Sequence, residues 1–142
     1  MSQEDPVTVL TDDQCWELLR AHEFGRLAYH LGEEVHIVPI NYAVDHDTLL
    51  FRTDEGSKLL GVVMNYDVAF EIDQYDDDLA RSVVVRGRAR VLEEDEEHRA
   101  ENIALHPWIS TPKYNVVEIH PKQVTGRAFE LSRPWTHLVP ER

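Results

Sequence analysis

The sequence predicts a mainly β domain with a few helices, its six or seven antiparallel strands closed into a small barrel. Three features carry this. Most apolar runs alternate with polar residues at a period of two, as half-buried strands do. Short polar turns such as Gly32-Glu33-Glu34 and Asp45-His46-Asp47 join them, where parallel strands would need long crossovers. With that many strands, closing the sheet removes the edges that an open one would expose.

The elements follow in order. "LTDDQCWELLRAH", residues 10–22, is a helix. Thr11 caps it, Gln14 stands three residues later as in a capping box, and acidic residues fill the first turn. Cys15, Leu18, Leu19 and His22 share one stripe, and Gly25 ends the pattern. "GRLAYHL" and "EVHIVPINYAV" are two strands, and "TLLFRT" is the third. A short helix is expected from Ser57 to about Met64. "DVAFEIDQY" is the fourth strand, with Val68, Phe70 and Ile72 on one face, and "RSVVVRGRARVLE" is a long fifth. "EDEEHRAENIAL" reads as a helix whose acidic start suits the positive end of its dipole. "KYNVVEIHP" and "QVTGRAFEL" are two closing strands, followed by a tail with "RPWTHLVP". Pro39 cannot donate to a ladder, so it marks an edge, a bulge or a break in the second strand.

Composition narrows the function. The chain has 142 residues and reads as one domain, 1–142. Its 27 acidic and 14 basic residues give a net charge of −13, which disfavours a broad nucleic-acid surface. One cysteine, Cys15, excludes an intrachain disulfide and a multi-thiolate metal site. The eight histidines show no ligand spacing such as "HxH" or "HExxH", so no metal is expected. No nucleophile signature such as "GxSxG" occurs. The start "MSQEDPV" lacks an apolar h-region, and no run approaches the roughly 20 apolar residues of a membrane span. A soluble, cytoplasmic protein is the expectation.

One stretch offers chemistry. In "FRTDEGSKLLGVV", residues 51–63, a strand gives way to a helix at Gly56-Ser57-Lys58. Ser57 is a good N-cap, and the helix it starts leaves backbone N–H groups without internal partners. Those donors, the dipole and the Lys58 ammonium suit an anion, and Arg52 lies on the incoming strand. Gly56 removes a Cβ that would hold a phosphate off. Taken alone, a serine at a helix start is usually only a cap, and Asp54 and Glu55 oppose an anion unless they point away. In "SVVVRGRAR", Val83, Val85, Gly87 and Ala89 point one way and Arg86, Arg88 and Arg90 the other. Such a row reads as a solvated face, or as one in which an arginine crosses to a partner or pairs with acids.

The order "P-x-N-Y", "LLFRT", "GSKL", with the leading helix, "GRLAY" and "VVVRGRARV", resembles the flavin-binding split-barrel family of the pyridoxamine 5′-phosphate oxidase type, over residues 8–131. The resemblance implies a six-stranded antiparallel split β-barrel of Greek-key type, a homodimer holding flavin mononucleotide (FMN) in two clefts between its subunits. It implies that Arg52 and Thr53 face the ribityl-phosphate end, that Ser57 and Lys58 grip the phosphate, and that the backbone of Pro39, Ile40, Asn41 and Tyr42 lies along the isoalloxazine. Trp135, in the tail 132–142, would cover the flavin from the partner or simply pack. That tail, "LSRPWTHLVPER", departs from the substrate motif of the vitamin oxidases, and the chain is more similar to the small, functionally mixed branch of flavin and nitro reductases. The implied function is an FMN-dependent oxidoreductase acting on a small molecule, with no catalytic residue named. The alternatives are a non-catalytic flavin store or sensor, and a deazaflavin-dependent reductase in which Arg86 or Arg88 meets the longer tail. A cofactor-free interaction domain, with "GSK" as a cap only, stands outside that class.

Overall fold

The structure, a computed structural model, describes residues 7–54, 67–101 and 114–132. The chain runs β1 (Val7–Val9), α1 (Asp12–Ala21), β2 (Phe24–Leu31), β3 (Glu34–Asp45), β4 (Thr48–Asp54), β5 (Asp67–Tyr75) and β6 (Leu79–Val91). A 3-10 turn (Glu94–Glu96), α2 (His98–Glu101) and β7 (Tyr114–Glu130) complete it. The expected helix from Ser57 and the residues 102–105 of the second expected helix lie outside the described residues.

All pairings are antiparallel, and the sheet order β7-β4-β3-β2-β5-β6 returns to β7 through a β6–β7 ladder. Six strands therefore close into the predicted barrel. The seventh, β1, is added outside that ring by pairing Val7–Val9 with Phe129–Arg127. Sequence reasoning missed it because three residues are too few to show a period. The barrel interior is filled by Leu27, Tyr42, Phe51, Phe70, Val85 and Ile119, and α1 contributes Cys15 and Leu19 to the same cluster. Thr11 and Gln14 cap α1 reciprocally, at 3.2 Å and 2.9 Å. Among the described residues no helix is long and apolar enough to cross a membrane.

The two expected closing strands are one. β7 continues through His120-Pro121-Lys122, and its register against β6 shifts between Arg86 and Gly87, leaving Lys122 as the extra residue of a bulge. Pro121 is tolerated because β7 has finished pairing with β4 at Ile119 and meets β1 only from Arg127. Along β6 the expected alternation holds: Val83, Val85, Gly87 and Ala89 are buried, while Arg86 and Arg88 are exposed.

Arg90 leaves the solvated face to join a charge network over a second core of Leu50, Leu92, Ala100 and Val116. Glu118 of β7, 5% exposed, accepts from Arg90 Nε at 2.9 Å and lies 2.6 Å from Arg99 Nη1. Arg90 also forks onto both Glu96 oxygens at 2.8 Å each, while Arg99 reaches Asp45 at 2.7 Å and Thr48 Oγ1 at 3.1 Å. The ion pairs alone tie five elements together at one point: β3, β6, the 3-10 turn, α2 and β7.

The Arg90 fork holds the Glu96 carboxyl down, from an ordinary 4.5 to about 2. A depressed folded value contributes stability that is complete above pH 4.5 and lost as the pH falls toward 2. In urea unfolding, the wild type is expected to lose about 1 kcal/mol more than Glu96→Gln on acidification through this window. Parallel losses in the two proteins would show that the fork carries no net stability.

Candidate functional site

The β2–β3 hairpin turns on two residues, with Gly32 at φ 60° in the first position, the geometry that matches the twist of the strands it joins. β3 pairs with β2 along its length from Glu34 to Asn41, but with β4 only from Tyr42 to Asp45. The β3–β4 ladder thus ends at Tyr42↔Phe51. Beyond it the strands part, with Pro39, Ile40 and Asn41 on one limb and Arg52, Thr53 and Asp54 on the other. The barrel is split at this fork, and the chain leaves it after Asp54 into residues 55–66.

Hydrogen-bond direction explains the proline. The Tyr42 N–H donates to Glu23 C=O at 2.8 Å, toward β2. Backbone direction alternates along an antiparallel strand, so Ile37, Pro39 and Asn41 turn their peptide groups away from β2, into the fork. The donor that Pro39 lacks is one that no ladder among the described residues needs.

Tyr42 anchors the base of the fork. Its side chain is 1% exposed, its hydroxyl donates to Leu19 C=O at 2.7 Å, and its ring meets Phe70 edge-on at 4.7 Å. Burial pushes the phenol far above its ordinary range, so it remains a protonated donor. Its side chain belongs to the core, and only its backbone is near the opening. Ile40 packs against the same core, whereas Pro39 is exposed.

On the other limb, consecutive residues face opposite ways. Thr53, 8% exposed, shares the interior face with Phe51. Arg52 is half-buried and shares the outer face with Leu50, beside the second core. The structure therefore brings Pro39, Ile40, Asn41, Tyr42, Arg52 and Thr53 to one fork. Ser57, Lys58 and Trp135 lie outside the described residues. His30 and His36, on neighbouring strands of the hairpin, face different sides: His30 pairs in register with Val35, and His36 stacks on Tyr29 with ring centroids 5.3 Å apart.

What sequence reasoning missed is the Asp45–Arg99–Glu118–Arg90–Glu96 network, one residue pair from the β4 limb. Arg99 and Asp45 are 54 residues apart, and no local pattern joins them. The acidic group Glu93, Asp95 and Glu96 could in principle hold a cation, but the first two are exposed and Glu96 is engaged by Arg90.

A family model described as pyridoxamine 5′-phosphate oxidase matches residues 11–128, a span that contains α1, the fork and most of β7. The FAD binding protein from Mycobacterium smegmatis superposes with a TM-score of 0.81 and 40% identity, over 88% of this chain and all of that one. An uncharacterized protein of Mycobacterium tuberculosis is 31% identical over 131 residues, covering 84% of each chain. A second from that organism is 45% identical over 83 residues, 58% of this chain and 76% of its own length.

Proposed function

Since the chain belongs to the pyridoxamine 5′-phosphate oxidase family, we propose that it is a flavin-dependent oxidoreductase, binding FMN at the β3–β4 fork and reducing or oxidising a small molecule. The observation that carries the reading is the fork itself. It turns the peptide groups of one limb toward an opening whose other limb presents Arg52, and it stands where residues 55–66, with Ser57 and Lys58, begin. Peptide donors and acceptors suit the polar edge of a flavin ring, and Arg52 with Lys58 suits a phosphate dianion. When bound, the flavin supplies the two-electron chemistry. The protein's own part is to hold the ring on the backbone of Pro39 to Tyr42, to fix that backbone through the Tyr42–Leu19 bond, and to bind the phosphate.

The family resemblance supports one further part of the reading: a homodimer whose cleft completes the site, with Trp135 of the tail covering it. The FAD binding protein from M. smegmatis, at 40% identity, favours FAD as a second form of the cofactor.

Purified protein is expected to be yellow, or to quench added FMN fluorescence on binding. Lys58→Ala and Ser57→Ala should each weaken FMN by about 1.5–3 kcal/mol. NADH or NADPH should reduce the bound flavin, and sedimentation should give a dimer. Unaltered FMN affinity in both variants would displace the phosphate from this corner, and colourless protein with no affinity would remove the cofactor altogether.

A further inference from the structure

The barrel parts at a second place. β2 and β5 pair over only three residues, from Arg26↔Glu71 to Ala28↔Ala69. Past that point Tyr29 and His30 diverge from Val68 and Asp67, and the gap is a cavity of about 420 Å³. This falls within the roughly 300–1,000 Å³ usual for small-molecule sites. Two residues with little bulk, Ala28 and Ala69, face each other in register there and make the room. Val35, Val68 and Tyr29 also line it.

The mouth has the opposite character. Arg86, Lys122 and His30 stand around it with one acid, Asp67. Asp67 is taken already: Lys122 Nζ lies 3.1 Å from its Oδ1 and Arg88 Nε 3.7 Å, and Lys122 above all holds its carboxyl below the ordinary range. Among the described residues Arg86 has no acid within ion-pair distance. On a chain of net charge −13, this is a positive island at the rim of an apolar slot. The bulge that makes Lys122 the extra residue of β7 also places it beside that rim.

We propose that this cavity binds an adenosine diphosphate group. A flat heterocycle fits an apolar slot, and a pyrophosphate fits a fork-shaped guanidinium beside an ammonium. Two sources carry that group: a flavin dinucleotide seated with its ring at the β3–β4 fork, or a nicotinamide dinucleotide that delivers electrons to the flavin. The choice between them rests on the flavin reading above; binding of the group itself does not.

The probe is ADP, titrated calorimetrically into the wild type, Arg86→Ala and Ala69→Leu, with thermal melts to confirm folding. Arg86 is exposed and Ala69 half-buried on the outer face, so both variants are expected to fold. ADP should bind the wild type, about ten- to a hundredfold more weakly Arg86→Ala, and not at all Ala69→Leu, whose side chain fills the slot. If FAD binds more tightly than FMN and both variants erase the difference while FMN affinity is unchanged, the group is the flavin's. If FAD and FMN bind alike and the variants raise the KM for NADH, it is the donor's. Failure of ADP to bind the wild type, or equal binding by all three proteins, overturns the proposal. ADP binding by a protein that takes no FMN would sustain it and reject the flavin reading instead.

Discussion

Gly87→Ala is expected to destabilise the barrel by about 3 kcal/mol, at the upper end of the usual cost of overpacking. A Cβ built at Gly87 would lie 2.2 Å from His120 O and 2.9 Å from both His120 C and Pro121 Cα. All three are backbone atoms of β7, at the bulge where it changes register against β6. No rotamer can relieve the clash, so β7 itself must move away, and with it the ladder that closes the barrel. Gly25 and Gly126 are also crowded, but partly by the side chains of Phe70 and Cys15, which have some freedom to yield. Chemical unfolding should show a much lower midpoint, with the slope unchanged if folding remains two-state. A midpoint within error of wild type would mean that the two strands do not approach as described.

Glu118→Ala is expected to cost about 3 kcal/mol. The Glu118 side chain is 6% exposed and serves two guanidinium groups, Arg90 at 2.9 Å and Arg99 at 2.6 Å. Removing it leaves both cations partly desolvated. Each keeps another acid, Arg90 its fork to Glu96 and Arg99 its bond to Asp45, which holds the loss at the lower end of the range for broken buried pairs. The damage should spread to the second core, since α2 is fastened to the sheet there. Urea unfolding measures the loss, and the double variant Glu118→Leu with Arg99→Met should recover much of it, because a packed apolar pair leaves no charge stranded. A cost below about 0.5 kcal/mol for the single variant would place the carboxylate among ordinary surface ion pairs.

The legible and the illegible parts of this chain differ in range. Thr11 with Gln14, the Gly32 turn, and Val68, Phe70 and Ile72 on one face of β5 were all readable, since each is fixed by neighbours a few residues away. So was Pro39 as a mark of lapsed pairing, because its missing donor is a property of the residue alone. The continuity of β7 was not. His120-Pro121-Lys122 has the composition of a turn, and only its partner Gly87, more than thirty residues earlier, turns it into a bulge. The side on which Arg52 and Thr53 project follows from strand alternation once the register is known. The network around Glu118 joins five elements, and the second opening, between β2 and β5, is visible only when both strands are in place.

The free flank of β3 carries a hazard that its sequence also limits. Val35 and Ile37 are 80% and 65% exposed there, next to peptide groups that no strand among the described residues covers in the ladder. Such a flank invites a strand from another molecule to add itself, the first step toward aggregation. Proline two residues further on withholds the donor that a growing intermolecular sheet would need next, so the flank resists polymerisation.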